Sequence, residues 1–245
     1  MKKKIVIFTG AGVSKESGVD TFRDSGGLWE GHKVEDVATP EGWKRDRETV
    51  LDFYNQRRRQ LEKVLPNAAH EHIAAFDKDK DYEVIVITQN VDNLHERAGS
   101  KNIVHLHGEL TKARGCMYNH KSSMFDTIVD VGYGDINIGD KCEVTGSQLR
   151  PHVVWFGEDV PEWRNAAAEI SEADALIVVG TSLNVYPAAT VFELFGTEKL
   201  AVYVDPSAND HIGLAEELGF NNVVLMAEPA TTGVPKAIDI IKERL

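Results

Sequence analysis

At 245 residues the chain fits one generous domain, or a main domain with a smaller insert, and its 42% hydrophobic content can build a full core. A formal charge of −12 argues against a nucleic-acid groove, which needs clustered Lys and Arg, so no nucleic-acid partner is expected. Lys2–Lys4 look like the basic start of a signal peptide, but the apolar stretch Ile5–Phe8 is too short for one and no run approaches membrane-spanning length. That predicts no membrane association. Two cysteines, Cys116 and Cys142, cannot form a disulfide framework, which points to a reduced, cytoplasmic compartment.

The first strand-like run, Lys4–Phe8, leads into Gly10-Ala11-Gly12. Leu28–Leu65 is helical in character, with Thr39-Pro40-Glu41 as a helix start and Glu48–Leu61 strongly periodic. A helix over Asn67–Phe76 precedes the run Glu83–Ile87, which ends in Thr88-Gln89-Asn90-Val91-Asp92-Asn93. Ile103–Leu106 follows, ending in His107-Gly108-Glu109, and then Arg114–Gly146 is irregular and dotted with glycine. A helix over Glu162–Glu172 leads to Ala175–Val179 and Gly180-Thr181-Ser182. Leu200–Val204 then runs into Asp205-Pro206-Ser207, with a further helix over Ile212–Leu218.

Short apolar strands alternating with helices predict an α/β fold with a doubly wound parallel Rossmann-like sheet, whose strand tips line one crevice. The two stretches outside the alternation, 31–65 and 111–146, are expected to pack together as a smaller module, while 1–30, 66–110 and 147–245 make the sheet domain. A Gly-x-Gly turn between strand and helix lets a backbone approach a pyrophosphate. Here Lys15 stands where a third glycine belongs, and no second strand ending in an acid follows at the usual distance. These features predict a nucleotide site and argue against an ordinary hydride-transfer fold.

With these segments together, the chain resembles the sirtuins, NAD-dependent protein lysine deacylases, and most of all their bacterial CobB type. The resemblance is carried by Gly10–Ser14, Gly18–Arg23, Gly27–Trp29, Phe53–Arg59, Thr88–His95, His105–Glu109, Leu149–Glu158 and Gly180–Ser182, in the family's order. It implies NAD as a consumed co-substrate and acylated lysine in peptides or proteins as the partner. Nicotinamide leaves the ribose C1′ as the acyl oxygen attacks, giving free lysine and O-acyl-ADP-ribose. A monomer is the expected state.

The same resemblance assigns roles. His107 is the general base, a group that titrates near neutral pH, and Asn90 stands with it among the catalytic residues. Asn90 and Asp92 suit the nicotinamide ribose and carboxamide, with Gln89 nearer the ribose. Gly10, Ala11 and Gly12 offer backbone donors to the pyrophosphate, and Ser14, Trp29, Gly180, Thr181 and Ser182 complete the cofactor set. Phe22 and Arg23 would cover the sugar and meet the phosphates, and Asp205 would bind ribose hydroxyls. Val153–Glu158 reads as an extended segment, with Val154, Phe156, Gly157 and Glu158 pairing with the substrate peptide. His70, His72, His95 and His105 are read as structural.

Tyr54 and Arg57 are three apart on one helical face, and the resemblance to the CobB type implies that this pair recognises the carboxylate of a succinyl or malonyl group. The competing reading puts Arg57, Arg58 and Arg59 on a solvated face. The family's structural zinc usually takes two Cys-x-x-Cys pairs. Only Cys116 and Cys142 remain here, with Asn119 and Thr145 in the partner positions, so the structural zinc is doubtful, a rearranged site using His120 or Asp140 being the lesser alternative. A metal-free module packed by Met117, Tyr118, Met124, Phe125, Ile128, Tyr133 and Ile136 is predicted instead. Two other functions fit less of the chain: a protein mono-ADP-ribosyltransferase and a non-catalytic NAD sensor.

Overall fold

The computed structural model describes residues 2–19, 28–29, 31–117, 124–183, 185–211 and 221–245, with the side chains of 28, 29, 125 and 211 left aside. The strands are β1 (Lys3–Thr9), β2 (Leu28–Trp29), β3 (His32–Lys33), β4 (Tyr82–Thr88), β5 (Ile103–His105), β6 (Gly108–Gly115), β7 (Val129–Asp130), β8 (Leu149–Val153), β9 (Ala175–Val179), β10 (Leu200–Val204) and β11 (Val223–Met226). Six of them form a parallel sheet in the order β11-β10-β9-β1-β4-β5. The fold is therefore the predicted doubly wound α/β sheet, with β11 as a sixth strand beyond the five expected.

β1 is buried on both faces, which is why its sequence is a continuous apolar run rather than an alternating one. Ile5 and Ile7 join the core beneath the helices Ala68–Phe76 and Ala230–Arg244, while Val6 and Phe8 point to the opposite layer with the helices Trp163–Glu172 and Val191–Phe195. After β1 the chain moves to β4 and β5, then returns to β9 on the other side. That reversal opens the crevice at the carboxyl ends of β1 and β9.

Local signals in the sequence fix several helix starts. Thr39 accepts a hydrogen bond from Gly42 N at 3.0 Å, with Pro40 at the first helical position. Asp46 caps the helix Arg47–Lys63, and Asn67 forms a capping box with His70 at the head of Ala68–Phe76. The region read as helical from Leu28 also contains a small antiparallel pair, β2 with β3. The expected helix over Ile212–Leu218 lies outside the described residues.

A second unit joins the helix Arg47–Lys63 to an antiparallel sheet ordered β7-β6-β8. Its strands begin at Gly108 and end at Val153, outside the 111–146 range at both ends. The core there uses Val50, Phe53, Tyr54, Leu110, Ile136 and Trp155. Met117, expected inside, is 67% exposed. The irregular chain is held instead by a buried arginine: Arg58 Nε donates to Gly134 O at 2.8 Å and Nη2 to Asn55 Oδ1. Asn55 in turn clasps the Ile136 backbone at 2.9 and 3.0 Å. Among the described residues no helix is long and apolar enough to cross a membrane.

Candidate active site

A cavity of about 730 Å³ opens over the tips of β1, β4 and β9. Gly10, Ala11, Gly12, Ser14, Arg57, Gln89, Asn90, Asp92, His107, Gly180, Thr181, Ser182 and Asp205 line it, as do Val154, Phe156, Gly157 and Glu158. Such a volume lies in the usual range for a small-molecule site.

The glycine turn is shaped by close backbone approach. A Cβ at Gly12 would lie 2.6 Å from the Gly180 Cα, and Gly180 itself has φ +61°. The amides of Gly10 and Gly12 donate to Val179 O at 2.9 Å and Gly180 O at 2.8 Å. Two of the three donors expected for a pyrophosphate are thus spent on β9, and Ala11 N–H is the one that makes no such bond. The glycines stitch β1 to β9 at the floor of the crevice, while the helix after them spans only Gly12–Lys15.

Ser14, expected at the cofactor, is a buried junction. Its Oγ donates to Asp92 Oδ2 at 2.9 Å and accepts from Asn90 Nδ2 at 3.1 Å. Asp92 Oδ1 accepts from Leu94 N at 3.1 Å, and burial raises the carboxyl's pKa. Gln89 Nε2 donates to Thr181 Oγ1 at 2.9 Å, joining the loop after β4 to the loop after β9. Asp205 Oδ1 accepts from Ser207 N at 2.9 Å and Ser207 Oγ at 2.6 Å.

His107 Nδ1 lies 2.9 Å from Gln89 O. A carbonyl only accepts, so Nδ1 carries the hydrogen and Nε2 keeps its lone pair. Burial lowers the imidazole's pKa, with the Gln89 bond opposing it. A neutral ring with a bare Nε2 at a cavity wall is equipped to take a proton.

Phe22 and Arg23 lie outside the described residues. Trp29 pairs through its backbone with His32 in β2–β3. Arg57 reaches the cavity wall and lies over the Phe53 ring at 5.3 Å. Tyr54 does not join it there. It is 0% exposed, its Oη accepts from Trp155 Nε1 at 3.0 Å, and burial pushes its pKa up. Of the expected Tyr–Arg pair, the arginine is the one that lines the cavity.

In Val153–Glu158, read as an extended segment, β8 ends at Val153 and a turn occupies Phe156 and Gly157. Val154 N donates to His107 O at 2.9 Å, Phe156 N to Ala38 O at 3.0 Å and Glu158 N to Trp155 O at 3.0 Å. The last closes a turn. The Glu158 carboxylate binds Arg150 at 2.6 Å, Arg114 at 3.0 Å and Trp155 N at 2.9 Å, so it serves the wall rather than presenting an open charge. Phe156, 49% exposed, and Gly157 form the outer lip.

Residues that sequence reasoning missed also line the cavity: Gln60, Leu61 and Val64 share Arg57's helical face or its continuation, and Val185 and Tyr186 stand near Ser182. Helical spacing from Arg57 is the signal that finds the first three. Two of the four positions of the family's zinc are Asn119 and Thr145, residue types that make poor zinc ligands, and Asn119 lies outside the described residues. Thr145 Oγ1 is 2.8 Å from Ser147 Oγ, which also donates to Met117 O at 3.3 Å. The one convergent group of metal-ligating side chains among the described residues, Glu96, His105 and Glu109, contains neither cysteine.

The family model described as "Sir2 family" matches residues 10–187. A Helicobacter pylori (strain J99) protein named NAD-dependent protein deacylase is 50% identical over 208 residues, covering 85% of each chain. The protein of the same name from Bacteroides thetaiotaomicron is 49% identical over 208 residues, covering 85% of this chain and 87% of its own. A solved Sir2 homologue in complex with ADP-ribose superposes with a TM-score of 0.83 at 33% identity, covering 98% of this chain and 92% of that one. A Sir2 homologue–NAD complex gives 0.81 at 33% identity, covering 98% and 90%. A cleft built on the β1–β9 reversal, with His107, Asn90 and Asp92 on its wall, and matches spanning most of the chain lead to one conclusion: this chain belongs to the Sir2 family.

Proposed function

We propose that this chain is an NAD-dependent protein lysine deacylase that removes acyl groups ending in a carboxylate, succinyl and malonyl, alongside acetyl. NAD supplies the chemistry as co-substrate: a ribose C1′ activated by its nicotinamide leaving group. The observation that carries the acyl reading is Arg57 on the wall of the same cavity as His107. A guanidinium offers a fork that matches a carboxylate and cannot be matched by the methyl end of an acetyl group.

In this reading His107 Nε2 takes a proton from a ribose hydroxyl, since its Nδ1–H is held by Gln89 O. Asn90 and Asp92 meet the nicotinamide half, each already oriented by Ser14. Gly180, Thr181, Ser182 and Ala11 face the phosphates, and Asp205 the far ribose. Phe156 and Gly157 meet the peptide at the lip. The products are nicotinamide, free lysine and O-acyl-ADP-ribose. The same reading takes the six-stranded parallel sheet and the helices packed on it as the NAD-binding domain, and a monomer in the cytoplasm as the working form.

Relative kcat/KM on peptides carrying succinyl-, malonyl-, butyryl- and acetyl-lysine tests the proposal. Butyryl matches succinyl in chain length without its charge. A charge-assisted contact of about 1.5–3 kcal/mol predicts roughly ten- to a hundredfold preference for succinyl over butyryl. Butyryl processed as well as succinyl would remove Arg57 from the account.

A further inference from the structure

At the end of β5, two imidazoles two residues apart hold consecutive carbonyls of the loop after β4. His107 Nδ1 lies 2.9 Å from Gln89 O, and His105 Nδ1 lies 3.1 Å from Asn90 O. The parallel register makes this possible, because His105 is paired with Thr88, the last residue of β4. Since a carbonyl only accepts, His105 also carries a hydrogen on Nδ1. Its other nitrogen, Nε2, faces Glu96 Oε1 at 2.7 Å, on the helix Leu94–Ala98. The ring is thus tied between that helix and the loop. Burial lowers its pKa, but the Glu96 carboxylate outweighs this and the net shift is upward, so the doubly protonated ring with two donors is favoured.

His105 does not line the main cavity, whereas Asn90 does. Asn90 is pinned at three points: its N–H donates to Thr88 Oγ1 at 3.0 Å, its side-chain amide donates to Ser14 Oγ at 3.1 Å, and its carbonyl accepts from His105. The first two bonds come from β4 and from the short helix Gly12–Lys15 after β1. Only the third ties the peptide to β5, the strand end that leads to His107.

We propose that His105, braced by Glu96, is a positioning residue that fixes the Asn90 peptide and so sets how the Asn90 side chain meets the nicotinamide half of NAD. This rests on the reading that Asn90 contacts that half of the co-substrate. His107 works on the reacting centre, and His105 works through Asn90 alone. The two histidines of His105-Leu106-His107 divide the task of shaping one loop.

The test uses the full-length chain with His105→Asn, His105→Gln and His105→Leu. Asparagine places an amide nitrogen where Nδ1 lies, glutamine places one near Nε2, and leucine keeps neither. Losing a hydrogen bond of this kind predicts that His105→Leu and His105→Gln raise KM for NAD about three- to tenfold with much less effect on kcat. His105→Asn should stay close to the parent in KM while its melting temperature falls as far as that of His105→Leu. Equal KM values for the asparagine and leucine variants, or KM shifts that simply follow melting temperature, would overturn the proposal. Should His105→Leu not fold, Glu96→Gln on the 38% exposed partner is expected to raise KM by a smaller factor, and an unchanged KM counts against the role. Asn90→Ala is the reference. If it raises KM and His105→Leu does not, only this inference fails; if Asn90→Ala leaves KM unchanged, the reading of the site fails with it.

Discussion

Arg57, Arg58 and Arg59 follow one another on the helix Arg47–Lys63, and successive helical residues are turned by roughly 100° from each other. Arg57 faces the cavity, Arg58 is 0% exposed in the small module, and Arg59 lies at the surface paired with Asp135 at 2.6 Å. A run that reads as one solvated basic face therefore splits into a wall residue, a core residue and a surface ion pair. Arg57→Met should depress desuccinylation roughly ten- to a hundredfold while acetyl-lysine turnover changes little, measured as kcat/KM on paired peptides. Arg58→Met should act differently, lowering activity on both substrates through stability. It removes the donor from the carbonyls of Gly134 and Leu110 and one of the two donors to Asn55 Oδ1, which keeps Ile136 N, and the buried Leu110 carbonyl left unmet costs about 1–3 kcal/mol. Denaturant unfolding measures it. For His107 the sign follows from its depressed pKa: the base form persists below the ordinary imidazole value of 6.5, so the acid limb of kcat/KM should fall at a pH under that value. An acid limb above it would speak against a buried His107 as the base.

Five of the six strands of the sheet were legible because each is a short, apolar run bounded by small or polar residues, as in Ile5–Phe8 or Leu176–Val179. The final helix, Ala230–Arg244, was not, because Gly233 and Pro235 in its early turns read as breakers. Packing overrides them, since Val234, Ala237 and Ile241 are buried against the sheet. The loop tips that carry the chemistry could be named from sequence. Their partners could not: Ser14 meets Asp92 across 78 positions and Trp155 meets Tyr54 across 101. Tyr54, which the resemblance pairs with Arg57 at the acyl group, accepts from Trp155 through its buried hydroxyl, a bond that no local spacing announces. The glycine turn shows the same limit, since its amides serve β9 as much as a phosphate. Gly12→Ala should push the turn away from Gly180, lowering both melting temperature and affinity for NAD by isothermal titration. Unchanged values for both would show that the close approach is dispensable.

Across the whole molecule, buried neutral histidines link stability to pH. Burial, aided by the charges of Arg114, Lys112 and Arg150, holds His152 down to about 3, and burial holds His70 to about 4. Both lie below the ordinary value of 6.5, so the unfolded chain takes up these protons first. Their contribution is complete above that value and is lost as pH falls toward the folded pKa values. The melting temperature should therefore fall between about pH 7 and pH 4, and the fall should be shallower in His152→Gln. An unaltered slope in that variant would assign the acid sensitivity elsewhere. The small module, held by Arg58 and by the Thr145–Ser147 hydroxyls, should keep its melting temperature when a strong chelator is added, and metal analysis should find well under one zinc per chain.

The account depends on the dinucleotide being cleaved at the sugar carbon beside His107 rather than reduced. Incubating the purified chain with NAD and a succinyl-lysine peptide, followed by mass spectrometry, tests this most directly. Equal amounts of nicotinamide, unmodified peptide and O-succinyl-ADP-ribose are predicted, all abolished in His107→Ala. NADH, an ADP-ribosylated protein, or intact NAD and peptide after prolonged incubation would contradict it.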